Sequence, residues 1–358
     1  MKKKRVLFFC VFILFILSVV ISLGLYYKKM DKSGSSDSSG TNSDGIDWNN
    51  LKSGVEFTYS DEFDITSLNV SPDKLNQLYV YELKGPENAQ KYYATIGNVL
   101  WGDESKNAKF EDKTYRDDSG KTQHEYSLLL QKKDGYKAVS GYLSSFEMTN
   151  NMPPDLKNVK KLKESEKEKL VKSYSEKMHL GVWEGKKCFG KIVKNRKNEY
   201  LFKMDFDGIE ASEAVYQHSW DDKIYGAGLP ISFTFNQQDI LESLNEGCSY
   251  GIVGKKKLSK KYDNDSIKKC VEDMEKAVRK NDTVNTLREE FEITDAAVRY
   301  GFYETPSGVG EHCGAVPILE LRGNIKFYFL KDRYLDTGKC SLALNLDTGK
   351  VMCYDNWD

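Results

Sequence analysis

The chain has 358 residues, which is enough for more than one compact unit, and its 39% apolar and 12% aromatic side chains exclude a disordered polyelectrolyte. Its formal net charge is −1, but +6 of charge falls within the first thirty residues, at Lys2, Lys3, Lys4, Arg5, Lys28 and Lys29. Subtracting +6 from −1 leaves −7 for the remainder, and this acidic remainder gives no reason to expect a nucleic-acid partner.

The first predicted element is an apolar helix that crosses a membrane. Residues 6–27 carry no charge, and at about 1.5 Å per residue they reach across a hydrocarbon layer of about 30 Å. The basic tail at residues 1–5 favours a cytoplasmic N-terminus. We therefore expect a signal-anchored, single-pass protein of the cell membrane, with the bulk of the chain on the extracytoplasmic side.

A cleaved secretory signal is the alternative for this segment. Ser22 and Gly24 are small residues, placed for a cut after Gly24. Lipid attachment at Cys10 is not expected, because Phe8 and Phe9 precede it where a lipoprotein signal has small residues. With either fate of the segment, the rest of the chain leaves the cytoplasm.

A flexible stalk and a first domain follow. Residues 28–45 are mostly Ser, Gly, Asp and Asn after two lysines, which is typical of a flexible linker. Residues 46–150 are predicted to form an α+β domain. A helix starts near Pro86, has an apolar face that includes Tyr92 and Tyr93, and stops at Gly102. A hairpin then turns at Asp134-Gly135.

A second α+β domain is predicted for residues 155–358, because Pro153 and Pro154 interrupt the preceding pattern. One amphipathic helix is expected to end before Gly181, and another over residues 266–280 turns Cys270 towards the core. Strands fill the rest, and the repeated Asp-Thr-Gly-Lys at 336–339 and 347–350 predicts two turns. The predicted fold class is thus α+β, with a transmembrane helix followed by two lobes of antiparallel sheet with packed amphipathic helices.

The exported part contains an even number of cysteines, which in an oxidising compartment predicts disulfide bonds. The sequence does not choose among the possible connectivities. The candidates are Cys188, Cys248, Cys270, Cys313, Cys340 and Cys353.

No catalytic residue, metal ligand or cofactor site is predicted. The histidines are scattered over different elements without zinc-ligand spacing, at His124, His179, His218 and His312. Acid, imidazole and thiol adjoin only at residues 311–313, but neighbours on a strand point to opposite faces, so Cys313 is expected in a disulfide rather than as a nucleophile. A glycosidase needs only two well-placed carboxylates, so a hydrolase remains an alternative.

The C-terminal sequence resembles a known family. In residues 298–303 a strand ends in aromatic residues, in 316–321 a strand begins Val-Pro, and in 344–351 a strand pair turns on Asp-Thr-Gly-Lys-Val. This order resembles PepSY-type modules and related membrane-anchored accessory regulators of bacterial envelope-sensing kinases. The resemblance implies an extracytoplasmic binding or regulatory role without enzymatic activity, and it transfers no catalytic residue.

The sequence therefore predicts a membrane-anchored protein that binds or modulates another envelope protein. A purely structural envelope component is not separable from this prediction. The alternative is an extracytoplasmic hydrolase acting on a cell-surface polymer, which a cleft lined by converging carboxylates or histidines would favour.

Overall fold

The structure is a computed structural model that describes residues 54–356, apart from residues 62, 66, 117–121, 144, 154–160, 215–217, 220–224, 227, 282–287, 304–311 and 331–332. The basic tail, the apolar segment at 6–27 and the stalk at 28–45 all lie outside the described residues. Among the helices that are described, none combines the length and the apolar character needed to cross a membrane.

The described residues form a mixed α+β fold, which confirms the predicted class. The helices are α1 (Pro72–Leu75), α2 (Ala89–Trp101), α3 (Glu164–Lys177) and α4 (Asn264–Asn281). The strands are β1 (Gly54–Tyr59), β2 (Tyr79–Lys84), β3 (Lys109–Arg116), β4 (Thr122–Lys132), β5 (Gly135–Gly141), β6 (Phe146–Asn151), β7 (Gly181–Glu184), β8 (Lys187–Arg196), β9 (Glu199–Met204), β10 (His218–Ser219), β11 (Tyr225–Gly226), β12 (Ile231–Phe235), β13 (Leu241–Gly247), β14 (Ser249–Lys257), β15 (Arg288–Tyr303), β16 (His312–Leu330), β17 (Arg333–Asn345) and β18 (Val351–Asn356).

The strands form two ladders that join at β8. In the first ladder all pairs are antiparallel, in the order β3-β4-β5-β6-β13-β12-β9-β8. At Cys188 and Phe189 the same strand pairs with β7 instead, and the second ladder continues through β14 and β2 to β16. The long β16 pairs with β15 along one edge and with β17 along much of the other. The β1–β15 and β7–β14 pairs are parallel. The sequence predicted antiparallel pairing only, and the structure differs from the prediction at these two pairs.

The chain from Leu51 to Asp358 forms one compact unit. The expected boundary at 150–155 falls inside this unit, between β6 and α3. Strands from both sides of it pair with one another: β2 with β14 and β16, and β6 with β13. Pro153 and Pro154 mark a change of local pattern, but the pairing of distant strands is decided by burial over the whole sheet. The C-terminal strands are equally interleaved, since β15 pairs with β1.

An aromatic cluster fills the core where the two ladders meet. The ring centroids of Phe206 and Tyr300 lie 4.2 Å apart, and the ring of Tyr81 lies 5.2 Å from that of Phe206. Phe189, beside the β7–β8 turn, joins them at 5.6 Å from Phe206. All four side chains are buried. Rings at these separations add specific contacts to the free energy of burying their area.

The predicted helix near Pro86 is confirmed, but it starts later. The Asn88 side chain caps the helix by accepting a hydrogen bond from the Lys91 amide at 2.8 Å, so α2 begins at Ala89 rather than at Pro86. The chain leaves the helix at Gly102, whose φ of 57° suits glycine. The buried face includes Tyr92, Tyr93 and Ile96, as its periodicity predicts, and α2 packs on β4 and β5.

Two predicted turns differ from the structure. The β4–β5 hairpin exists, but Lys132 pairs with Gly135, so Lys133 and Asp134 form its turn. A Cβ on Gly135 would lie 2.2 Å from the Asn151 carbonyl oxygen, so close approach of the backbone accounts for this glycine. The second Asp-Thr-Gly-Lys copy is a turn with Gly349 at φ 76°, as predicted. The first copy lies within β17, opposite β16, because β16 is long enough to pair with it.

Candidate functional site: a groove between helix α2 and strand β14

A groove of about 530 Å³ lies beside the start of α2. One wall is formed by residues 84–88 and the first turns of the helix, and the other by Met178 and His179, which follow α3. Ser249, Gly251 and Val253 of β14 form the floor. The groove is more open than enclosed. A ligand could therefore enter along its length.

A β-bulge shapes the floor. Ile252 pairs with Leu83 and Gly254 pairs with the next residue of β2, Glu82, so Val253 is an extra residue in β14. Bulges of this kind re-aim side chains and disturb the regular strand edge. Val253 is 52% exposed and places an apolar side chain in the groove lining.

Gly251 leaves the floor open. A Cβ at this position would have the Lys84 carbonyl oxygen at 3.9 Å as its one neighbour within 4 Å. By contrast, a Cβ on Gly190 would lie 2.2 Å from the ring of Phe202. The fold needs a glycine at 190 for packing, but no contact requires one at 251. A glycine within a strand without a packing reason is typical of a site where another molecule approaches the backbone.

At the helix end the groove lining contains two lysines, Lys84 and Lys91, and one acidic residue, Glu87. The first turn of α2 contains no acidic residue, so the partial positive charge of its N-terminus is not compensated there. Lys84 forms an ion pair with Glu87 at 2.9 Å, and the hydrogen bond from this lysine lowers the pKa of the Glu87 carboxyl group. The ammonium group of Lys91 is exposed and has no acidic partner among the described residues. An anionic group is the complementary ligand.

Tyr92 contributes a buried polar group to the wall. Its side chain is 9% exposed, and its hydroxyl has no hydrogen-bond partner in the described part of the chain. The ring packs edge-on against Phe146 with centroids 6.0 Å apart. Burial raises the pKa of Tyr92 well above its ordinary value, and the side chain of Ser249, which is nearby but outside hydrogen-bond geometry, opposes this only in part. The hydroxyl therefore remains protonated and available as a donor.

The structure does not bring the histidines together. His179 lies in the groove wall at φ 52°, with its ring 4.8 Å from that of Trp183. His124 contacts Asp112 at 3.0 Å on β3, and His312 contacts Glu82 at 2.9 Å. The side chain of His218 lies outside the described residues. The groove is thus lined by one carboxylate, Glu87, and one histidine.

No cluster of histidine, cysteine and acidic side chains within the described ranges could hold a metal ion. Around the predicted Glu-His-Cys triplet, residue 311 is not described, the side chain of His312 is 54% exposed, and Cys313 is buried. The imidazole and the thiol therefore occupy opposite faces of β16, as strand geometry predicts.

The cysteines differ from the expectation of complete pairing. Cys188, Cys248 and Cys270 are free thiols. Burial raises the pKa of Cys188 and of Cys248 to about 12, and that of Cys270 to about 11. Buried thiols of this kind serve as small apolar side chains, which explains their positions without disulfides. Cys313 and Cys340 are buried, and the side chain of Cys353 lies outside the described residues.

Sequence reasoning missed the groove. Its key residues are Lys84, Lys91, Tyr92 and Gly251, none of which belongs to a chemical motif. The available signal was the Gly-Pro-Glu-Asn-Ala sequence at the predicted helix start, which offers Asn88 as a cap and is flanked by Lys84 and Lys91. That signal locates a positive helix end, but it does not reveal the facing strand.

Comparisons with known proteins leave the family open. No family model matches the chain, and no curated protein matches it. Among solved structures, the Bacillus megaterium YpeB C-terminal domain is similar with a TM-score of 0.28 and 10% identity, covering 76% of this chain and 100% of that one. The crystal structure of MucB is similar with a TM-score of 0.09 and 11% identity, covering 75% and 92%. At these TM-scores neither similarity carries an argument about fold or function.

Proposed function

We propose that this chain is a non-enzymatic binding protein of the bacterial cell envelope, held at the membrane by residues 6–27 and acting on another envelope protein. The observation that carries the proposal is the groove between α2 and β14. It combines an uncompensated positive helix end, an exposed apolar side chain at Val253 and a floor left open at Gly251.

This combination suits recognition. A binding site is a concave surface with an apolar part and a few polar groups that fix the orientation of the ligand. In the groove, Pro86 and Val253 supply the apolar part, while Lys91 and the end of α2 supply the polar one. The one carboxylate of the lining, on Glu87, is already held by Lys84.

The membrane location rests on the sequence. Residues 6–27 are uncharged and follow a basic tail, which supports a cytoplasmic N-terminus and an extracytoplasmic domain. The resemblance of residues 298–351 to PepSY-type regulators supports a regulatory binding role. Both remain predictions that experiments on the full chain can test.

Site-specific photo-crosslinking in native membranes tests this function. A photoreactive amino acid at Thr95, an exposed residue of the groove, should yield a discrete adduct with another envelope protein. The same amino acid at Val193, an exposed position on β8, is the matched control and should not. Equal adducts from both positions, or none from Thr95 in a folded and exported chain, would contradict the proposal. Trapping of a cell-surface polymer at Thr95 would instead favour the hydrolase.

A further inference from the structure

Resting on that proposed function, we propose that the groove between α2 and β14 binds an extended acidic segment of the partner protein. The occupant is a peptide chain carrying Asp or Glu side chains, lying over Gly251 with its acidic groups at the N-terminal end of α2.

The charge of the groove selects an acidic occupant. Lys91 lies in the first turn of α2 without an acidic partner among the described residues, and its charge adds to that of the helix end. The acid nearest to it in sequence, Glu87, is 2.9 Å from the ammonium group of Lys84. A carboxylate of the partner would therefore meet two sources of positive charge whose effects add.

The shape of the groove selects an extended chain. Its volume of about 530 Å³ would hold a small ligand, but its open side would leave much of that ligand in water. A peptide can instead continue beyond both ends of the groove. The side chains of an extended chain alternate between two faces, so acidic groups can meet Lys91 while apolar groups meet Val253 and Pro86.

The backbone of the floor also accepts a peptide. At Gly251 the strand carries no side chain, and space for at least a methyl group lies above it. A second chain can therefore approach β14 closely at this point. Beside it, the Tyr92 hydroxyl is a donor without a partner among the described residues. At Gly251 the strand β14 pairs with β2 on one side and with β7 on the other, so neither edge is free there and we place the peptide on the face of the sheet.

Fluorescence anisotropy with the full chain in detergent tests this inference. The probes are two fluorescein-labelled peptides of equal length, one of alternating Glu and Val and the other of alternating Lys and Val. We expect the acidic peptide to bind about tenfold more tightly than the basic one, and its affinity to fall with added salt. Equal affinities would overturn the inference.

Two groove variants sharpen the test. Gly251→Trp fills the floor and should abolish binding of the acidic peptide, whereas Lys91→Glu should weaken it by about tenfold. The matched controls are Val193→Trp and Lys186→Glu, which add the same bulk and the same charge change at exposed positions outside the groove lining. Circular dichroism and a thermal melt establish that each variant folds. A folded Gly251→Trp chain that binds the acidic peptide normally would overturn the inference.

Peptide binding, phosphate competition and crosslinking at Thr95 together separate this inference from the proposed function. If inorganic phosphate at millimolar concentration displaces the acidic peptide completely, the groove is a small-anion site and the peptide proposal fails. If Thr95 still captures an envelope protein while the groove variants bind peptide normally, the inference fails and the binding function stands. If crosslinking at Thr95 yields no adduct, although the acidic peptide binds as expected, then the proposed class of partner, an envelope protein, is wrong.

Discussion

The guanidinium Nε of Arg299 on β15 lies 2.7 Å from a carboxylate oxygen of Glu320 on β16, and Glu320 is 1% exposed. The same oxygen accepts a hydrogen bond from Arg322 Nε at 2.8 Å, and the other oxygen accepts one from Ser212 Oγ at 2.6 Å. Both carboxylate oxygens therefore have partners, which is the condition under which a buried charge is tolerated.

Glu320→Gln should destabilise the protein by about 3 kcal/mol, because it removes the buried negative charge that faces two guanidinium groups. Urea denaturation followed by circular dichroism measures the difference. Glu242→Gln, at an exposed position on β13, is the control and should change the free energy of unfolding by less than about 0.5 kcal/mol. Equal effects of the two substitutions would show that the Glu320 cluster contributes no more than a surface charge.

A buried ion pair ties the start of α3 to the β12–β13 connection. Lys167 Nζ lies 2.6 Å from Asp239 Oδ1, with side chains 5% and 7% exposed, and the other oxygen of Asp239 accepts a hydrogen bond from the Leu162 amide at 2.9 Å. Asp239→Asn should cost about 3 kcal/mol at pH 7, since it leaves the buried Lys167 with a hydrogen bond to Asn198 at 3.1 Å but without a counter-charge. Asparagine tolerates the φ of 62° at this position, so backbone strain does not contribute.

This effect should depend on pH. The hydrogen bond from Lys167 holds the pKa of Asp239 below its usual range. A lowered folded-state pKa gives stability that is present above the unfolded aspartate pKa of about 3.9 and is lost as pH falls through the folded-state pKa. The difference between the unmodified chain and Asp239→Asn should therefore shrink below about pH 4.

Asp207 provides the control for the pair. It also has a positive φ, 55°, and a lysine at 2.6 Å, Lys187, but the two side chains are 62% and 53% exposed. Asp207→Asn should cost less than about 1 kcal/mol, because water already screens an exposed pair. Urea midpoints at pH 7 and pH 3 test both substitutions. A loss at Asp207 as large as at Asp239 would contradict the role assigned to burial.

Two glycines should respond in opposite ways to alanine. Gly190→Ala places a methyl group 2.2 Å from the buried Phe202 ring and should lower the free energy of unfolding by about 1–3 kcal/mol. Gly251→Ala meets no such obstacle and should be neutral or stabilising by up to about 1 kcal/mol. Thermal melts measure both. Strong destabilisation by Gly251→Ala would mean that the alanine methyl group clashes with neighbouring atoms. The space above Gly251 would then not be open.

Thiol labelling distinguishes the structure from the sequence-based expectation of disulfides. Cys188, Cys248 and Cys270 should all react with iodoacetamide in the denatured, unreduced protein. In the folded protein at neutral pH they should react slowly, since burial raises their pKa values and keeps them protonated. The rate at the half-buried Cys188 should rise as pH increases. Mass spectrometry of peptides locates the labels, and a disulfide-linked peptide containing any of the three would contradict the structure.

Local signals predicted the elements better than their arrangement. The face of α2 follows from the spacing of Tyr92, Tyr93 and Ile96, and the turn at Gly349 follows from the need for a positive φ. In contrast, β2 lies between β14 and β16, and its Glu82 contacts a histidine 230 residues away. No local pattern encodes such a pairing, because many strands of similar composition could compete for it.

The groove could not be predicted for the same reason. Lys91 and Gly251 are brought together by the pairing of β2 with β14, although each lies in an unremarkable local context. The sequence indicates a helix start flanked by Lys84 and Lys91, and the structure adds that the helix begins after Glu87, at Ala89. Only the tertiary structure shows that Gly251 of a distant strand faces this helix end, and that its missing side chain leaves room.

The last prediction concerns histidine. A histidine-based mechanism would depend on one of four residues, and loss of an essential general base costs about 10²–10⁴-fold in rate. In the described structure His124 and His312 each contact a single carboxylate, and the ring of His179 lies tilted beside that of Trp183, while the side chain of His218 is not described. Single alanine substitutions at His124, His218 and His312 should therefore leave a cellular phenotype of this protein unchanged, whereas Gly251→Trp should abolish it by blocking the groove. Immunoblots must show normal abundance of each variant. The opposite result would favour the hydrolase alternative over the binding function. In that result, one histidine variant loses the phenotype although it is folded and abundant, and the Gly251→Trp variant keeps it.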